Sequence, residues 1–137
     1  MTELLSAPEI PIFADYLETS EGRKLPVEHC IEGTKGHALQ DTIQKMAEKR
    51  QAVVMNKITF GAKNLPEEIE KLAGGVPEFI ELVGLCTDIC VISNAMLLKA
   101  FLPEVPIMVD SLCCAGVTPE RHERALEAMK ACQIEVL

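Results

Sequence analysis

The stretch ELVGLCTDICVISNAMLLKA, Glu81–Ala100, runs from an apolar segment through Gly84 into two cysteines and then into a long apolar tract. Its first part belongs to FIELVGL (Phe79–Leu85), which has the length and composition of a strand. Its second part, Ile89–Leu102, is apolar almost all round, with Asn94 and Lys99 among the exceptions. A helix of that kind is buried in the body of a protein or against a partner subunit. Cys86 and Cys90 thus flank Thr87-Asp88 where a strand gives way to a helix. A buried cysteine is an ordinary small hydrophobe, so packing accounts for the pair as readily as a reactive thiol at the helix mouth does.

Three more apolar runs have strand length: AVVM (Ala52–Met55), VPIMV (Val105–Val109) and IEVL (Ile134–Leu137), with β-branched residues recurring. Helical patterns separate them. Leu39, Ile43, Met46 and Ala47 fall at helical spacing before the first run. Pro66-Glu67-Glu68 opens a short helix over Pro66–Ala73, and Gly74-Gly75 stops it. Thr118-Pro119-Glu120 opens the last helix, whose apolar stripe is Ala125, Leu126, Met129 and Cys132. Alternating strands and helices with near-continuous apolar strands predict an α/β fold, a mostly parallel sheet covered on both faces in three layers. The first twelve residues carry two prolines and no clear period, so no element is assigned there.

A chain of 137 residues is one domain with room for a substantial core. Hydrophobic content of 48% against 25% charge fits a globular protein. A net charge of −8 argues against nucleic acid, whose phosphates would be repelled. No segment approaches the roughly 20 apolar residues that span a bilayer, and the N-terminus lacks a basic start followed by an apolar stretch. Six cysteines, Cys113 and Cys114 adjacent, do not form a spaced disulfide scaffold; they read as reduced thiols in a cytoplasmic protein.

Ligands of open α/β sheets bind beyond the carboxyl ends of the strands. Asn56-Lys57, Cys86 to Cys90 and Asp110-Ser111 follow three of the apolar runs and become the residues of interest. Thr87 is a good helix N-cap, which would make Cys90 the third helical residue, where the helix dipole favours a thiolate. A nearby lysine ammonium would act in the same direction. C-x-x-x-C is not the thioredoxin spacing, and no second pair stands at metal-ligand distance in sequence. His37 and His122 at predicted helix starts read as solvated or capping residues, and Cys113-Cys114 as packing beneath the Gly116 turn.

GLCTDICV (Gly84–Val91), YLETSEGRKLPVEHCIEGTKG (Tyr16–Gly36), NKITFGA (Asn56–Ala62) and VDSLCCAGVTPERHERAL (Val109–Leu126) together resemble, in order, segments of the isochorismatase-like cysteine hydrolases, and within them the nicotinamidases. The resemblance covers Tyr16 to the C-terminus. It leaves residues 1–15 as an irregular segment before a partial hydrolase domain, 16–137, that lacks the family's first two strands. It implies hydrolysis of a small carboxamide such as nicotinamide, with Cys90 as nucleophile through a thioester and Lys57 in the catalytic triad. It also implies a non-proline cis peptide between Leu85 and Cys86 that aims the backbone N–H groups of Cys86 and Cys90 at an oxyanion.

The same resemblance exposes departures. The family's triad aspartate lies in a D-x-Q-x-D-F-like segment near the N-terminus, and this chain has none. Metal-binding members carry D-x-H where Ile10 and Ile12 stand here, leaving His29 as the one match to a ligand of a divalent metal such as zinc. One imidazole cannot hold a catalytic zinc, which typically has three protein ligands. Asp110 matches a family aspartate distinct from the triad acid, so local hydrogen bonding is its expected role. Two alternatives stand beside the hydrolase: an inactive fragment that covers its sheet by homo-oligomerising, and a thiol sensor using Cys86, Cys90, Cys113 and Cys114.

Overall fold

Capping residues and glycine set several of the helix bounds. The computed structural model describes residues 4–6, 19–31 and 33–137, and the chain divides into two compact units, Met1–Thr59 and Phe60–Leu137. In the first unit, β1 (Leu4–Ser6) pairs in parallel with β2 (Val53–Met55), Leu4 opposite Val53 and Ser6 opposite Met55. No element is expected at residues 4–6 from the residue pattern, so this strand is a correction. Three residues of backbone pairing need no side-chain period, so the irregular pattern there did not reveal it.

A 3-10 turn at Gly22–Lys24 precedes α1 (Asp41–Arg50). Gln40 starts this helix: its side-chain oxygen accepts from the N–H groups of Thr42 and Ile43 at 2.8 and 3.2 Å. Gln51, left-handed at φ 52°, ends it. Of the apolar positions at helical spacing, Ala47 is buried while Ile43 and Met46 are exposed. Ile10, Ile12, Phe13 and Tyr16 lie outside the described residues.

The second unit begins its helices with α2 (Leu65–Ala73). Pro66 sits in the first turn with Glu67 and Glu68, and Gly74 closes the helix at φ 69°. β3 (Ile80–Leu85) follows, then a π-helical turn at Thr87–Val91 running into α3 (Ile92–Phe101). β4 (Ile107–Ala115), α4 (Pro119–Ala131) and β5 (Glu135–Val136) complete the chain. Thr118 caps α4, its hydroxyl accepting from the Arg121 N–H at 3.3 Å. Cys132, expected on the apolar stripe of α4, is exposed at the helix end.

β3, β4 and β5 form a parallel sheet in that order. Leu82 pairs with Val109 and Gly84 with Cys114, so Asp110 to Cys113 bulge out opposite Val83. β4 therefore runs well past the apolar run that predicted it, and Asp110 lies within a bulged strand instead of beyond a strand end. Leu98, Met129, Ile134 and Val109 are the largest fully buried apolar side chains of this core besides Pro66. Each contributes about 1.5–3 kcal/mol by leaving water. β3 alternates, with Ile80 buried and Glu81, Val83 and Leu85 exposed. Among the described residues no helix is long and apolar enough to cross a membrane.

Candidate active site

The end of β3 is shaped by glycine. Gly84 adopts φ 119°, a region that side-chain-bearing residues rarely enter. The Leu85–Cys86 peptide that follows is cis, and the chain then enters the π turn. The N–H groups of Ile89 and Val91 both donate to the Cys86 carbonyl, each at 3.1 Å. The second of these bonds spans five residues, which makes the turn wider than an α-helix. Cys90, half-buried, lies in this turn, ahead of the α-helix that starts at Ile92.

This corrects the expected capping. Thr87 does not use its side chain as the N-cap of a helix; the residue preceding the turn is Cys86, and no side-chain cap bond forms there. Thr87 is fully buried, and its hydroxyl instead meets Nδ1 of His122 at 2.8 Å. A hydroxyl so deeply buried needs a partner, and one on α4 satisfies it as well as the backbone would. His122 is accordingly part of the packing around the turn. It is half-buried and does not serve as a cap.

Asp88 makes the second link to α4. Its carboxylate accepts from the Val117 N–H at 3.0 Å and pairs with the Arg121 guanidinium, with only 6% of the Asp88 side chain exposed. Gly116 permits this approach. A Cβ on it would lie 2.9 Å from the His122 nitrogen and 3.0 Å from the Asp88 carboxylate. The sequence contained every partner of this latch, since Gly116, Val117, Arg121 and His122 all fall in one matched segment. Only the spatial pairing was hidden.

Asn94 makes the third link. It is buried, accepts from the Ala62 N–H at 2.7 Å, and donates to the carbonyls of Cys90 at 2.9 Å and Phe60 at 3.4 Å. In sequence it stood out only as a polar interruption of an apolar tract.

Leu85 at the end of β3, Cys86 before the turn and Cys90 within it thus lie along one strand-to-helix connection. Lys57 lies in the Met1–Thr59 unit, where it is buried and its ammonium donates to the Thr59 carbonyl at 3.2 Å. A buried lysine requires such polar contact. The adjacent thiols are tuned differently. Asp110 accepts from the Leu112 N–H at 2.9 Å, and its hydrogen bond and charge raise the pKa of the exposed Cys113 thiol. Burial pushes the Cys114 thiol up, partly offset by the backbone of Gly84. Raised thiols carry less thiolate, so neither is an activated nucleophile. Cys113, expected to pack, faces solvent.

His29 is exposed, with Nδ1 against the Val27 carbonyl at 2.8 Å. Among the described residues, no three His, Cys, Asp or Glu side chains are grouped to hold a metal ion. A donor set of one imidazole does not fit a catalytic zinc, and no chemistry is assigned to a metal here.

A family model for the isochorismatase domain matches residues 6–137. Among solved structures, the chain is similar to the nicotinamidase/pyrazinamidase of Bacillus subtilis at 27% identity and TM-score 0.78, covering 98% of this chain and 74% of that one. It is similar to the nicotinamidase of Staphylococcus aureus at 25% identity and TM-score 0.62, covering 74% and 67%. The pyrazinamidase of Pyrococcus horikoshii, solved in complex with zinc, shares the fold at 21% identity and TM-score 0.70, covering 98% and 74%. No curated protein matches. With the α/β fold of these structures and a family match over nearly its whole length, the chain belongs to the isochorismatase family.

Proposed function

We propose that the protein is a cysteine hydrolase of a small carboxamide of the nicotinamide class. The observation that carries this is the placement of Cys90: in an isochorismatase-family chain, it occupies a π turn at the carboxyl end of β3, ahead of a helix. Similarity to nicotinamidases supports the amide as substrate class.

In this reaction the Cys90 sulfur attacks the amide carbonyl carbon, and a C–S bond forms as the carbonyl oxygen becomes an oxyanion. The backbone N–H groups of Cys86 and Cys90 are assigned to that oxyanion. Lys57, assigned to the triad by the family resemblance, polarises the site in this scheme. Collapse of the intermediate breaks the C–N bond, and the thiol proton leaves with the nitrogen as ammonia. Water then attacks the thioester, releasing the carboxylic acid and restoring the thiol. The purified chain is tested with nicotinamide, pyrazinamide and acetamide by following ammonia. Release that is abolished by Cys90→Ala is the expected result, and release that persists in that variant rules the mechanism out.

A second function, as an assembling component, is favoured by exposed apolar side chains along β3 and β4: Val83, Leu85 and, at 94% exposure, Leu112. Sedimentation at micromolar concentration tests it, and a stable monomer excludes it.

A further inference from the structure

We infer that Asn94 is a positioning residue for Cys90, fixing the π turn against the Phe60–Ala62 segment; the inference rests on the proposed role of Cys90 as nucleophile. Asn94 stands one turn beyond Cys90 and is only 6% exposed. An asparagine amide offers one strong acceptor oxygen and two N–H donors. Here the oxygen receives the Ala62 N–H at 2.7 Å, and the nitrogen serves the Cys90 carbonyl at 2.9 Å and the Phe60 carbonyl at 3.4 Å. The group is fully satisfied on three different backbone sites.

Its neighbour repeats part of the pattern. Ser93 donates to the Ile89 carbonyl at 2.5 Å. Side-chain bonds back to the carbonyl four residues earlier loosen and bend helices. Two in succession, from Ser93 and Asn94, stand where the π turn passes into α3. They hold the carbonyls of Ile89 and Cys90 and so favour the wider turn that carries the sulfur.

A purely structural role explains the residue poorly. Leucine would fill the same space in this apolar helix and bury more readily, because a buried amide gains little net stability from its bonds. What a satisfied polar network adds is one defined geometry. The geometry defined here joins the backbone of Cys90 to Ala62, which lies 32 residues before Asn94.

The experiment compares wild type, Asn94→Ala and Asn94→Thr, each checked for folding by circular dichroism and thermal melting. Threonine keeps a hydroxyl able to bond the Cys90 carbonyl. The expected result is a fall in kcat of about 100-fold in Asn94→Ala, the cost of a displaced reacting group, with KM changed by less than about threefold. Asn94→Thr recovers at least about tenfold of that loss. A folded Asn94→Ala with kcat within about twofold of wild type overturns the inference, as does a folded Asn94→Thr no better than alanine.

If wild type releases no ammonia from any amide, the hydrolase proposal fails separately, and alkylation decides the positioning role. The rate of iodoacetamide modification at Cys90, read by peptide mass spectrometry, is expected to change about tenfold in Asn94→Ala and to return towards wild type in Asn94→Thr. Equal rates in all three overturn the inference. Should Asn94→Ala not fold, a folded Asn94→Thr within about tenfold of wild type upholds it, and a loss of about 100-fold or more overturns it.

Discussion

The turn that carries Cys90 and the loop that carries His29 are both polar and irregular, yet they are held in opposite ways. Thr87 reaches His122, Asp88 reaches Val117 and Asn94 reaches Ala62, across 35, 29 and 32 residues of chain. His29 bonds the Val27 carbonyl and Thr34 bonds the Ile31 carbonyl, two and three residues away. A local bond fixes the shape of a loop but not its place. A bond that closes a long stretch of chain fixes the turn relative to other elements, at the cost of ordering everything between. Chemistry needs the second kind, because reacting groups must be held to within a fraction of an ångström.

The largest effect expected is at the centre of the anchored turn. Cys90→Ala is predicted to lower ammonia release by at least about a thousand-fold while leaving the melting temperature nearly unchanged, since the thiol is only half-buried. Next come the latches. Asp88→Ala leaves the Val117 N–H without its acceptor and should destabilise the protein by about 1–3 kcal/mol in urea unfolding. Arg121 is half-exposed, so the ion pair itself adds little to that figure. Gly116→Ala drives a methyl group into the His122 backbone and should cost about 1–3 kcal/mol by overpacking. If Asp88→Ala proved no more costly than Thr34→Ala, whose bond is exposed and local, the contrast between the two regions would break.

What the sequence made legible follows the same division. Local signals were enough for α2 and the start of α4: Pro66 with its two glutamates, the Gly74 stop and the Thr118 start each lie within one turn of the end they mark. Apolar runs located β3 and the last strand to within a residue or two. β4 was misjudged in length because its outer half, Asp110 to Cys113, is a bulge whose side chains carry no apolar period. Leu4–Ser6 escaped for the related reason that backbone pairing alone defines it. Near the candidate site, the neighbours of Cys90 marked where β3 ends, and the π turn that follows it was not foreseen. Thr87 was misassigned because a good N-cap residue is also a good buried hydroxyl, and only the position of His122 chooses between the two.

The smaller effects sharpen the comparison at its edges. Asp110 raises the Cys113 thiol, chiefly by accepting its hydrogen bond and then by its charge. A raised pKa means less thiolate at a given pH, so Asp110→Asn should speed alkylation of Cys113 at mildly alkaline pH, with the gain fading once the pH exceeds the native pKa. An unchanged rate would mean the carboxylate does not face the sulfur. The smallest effect is assigned to His29→Ala. Its ring is exposed and its one described bond, to Val27, is replaceable by water. The change in unfolding free energy should stay under about 0.5 kcal/mol. A loss above about 1 kcal/mol in urea unfolding would require a partner that ties His29 to distant chain, and the loop would then belong with the Cys90 turn instead of opposite it.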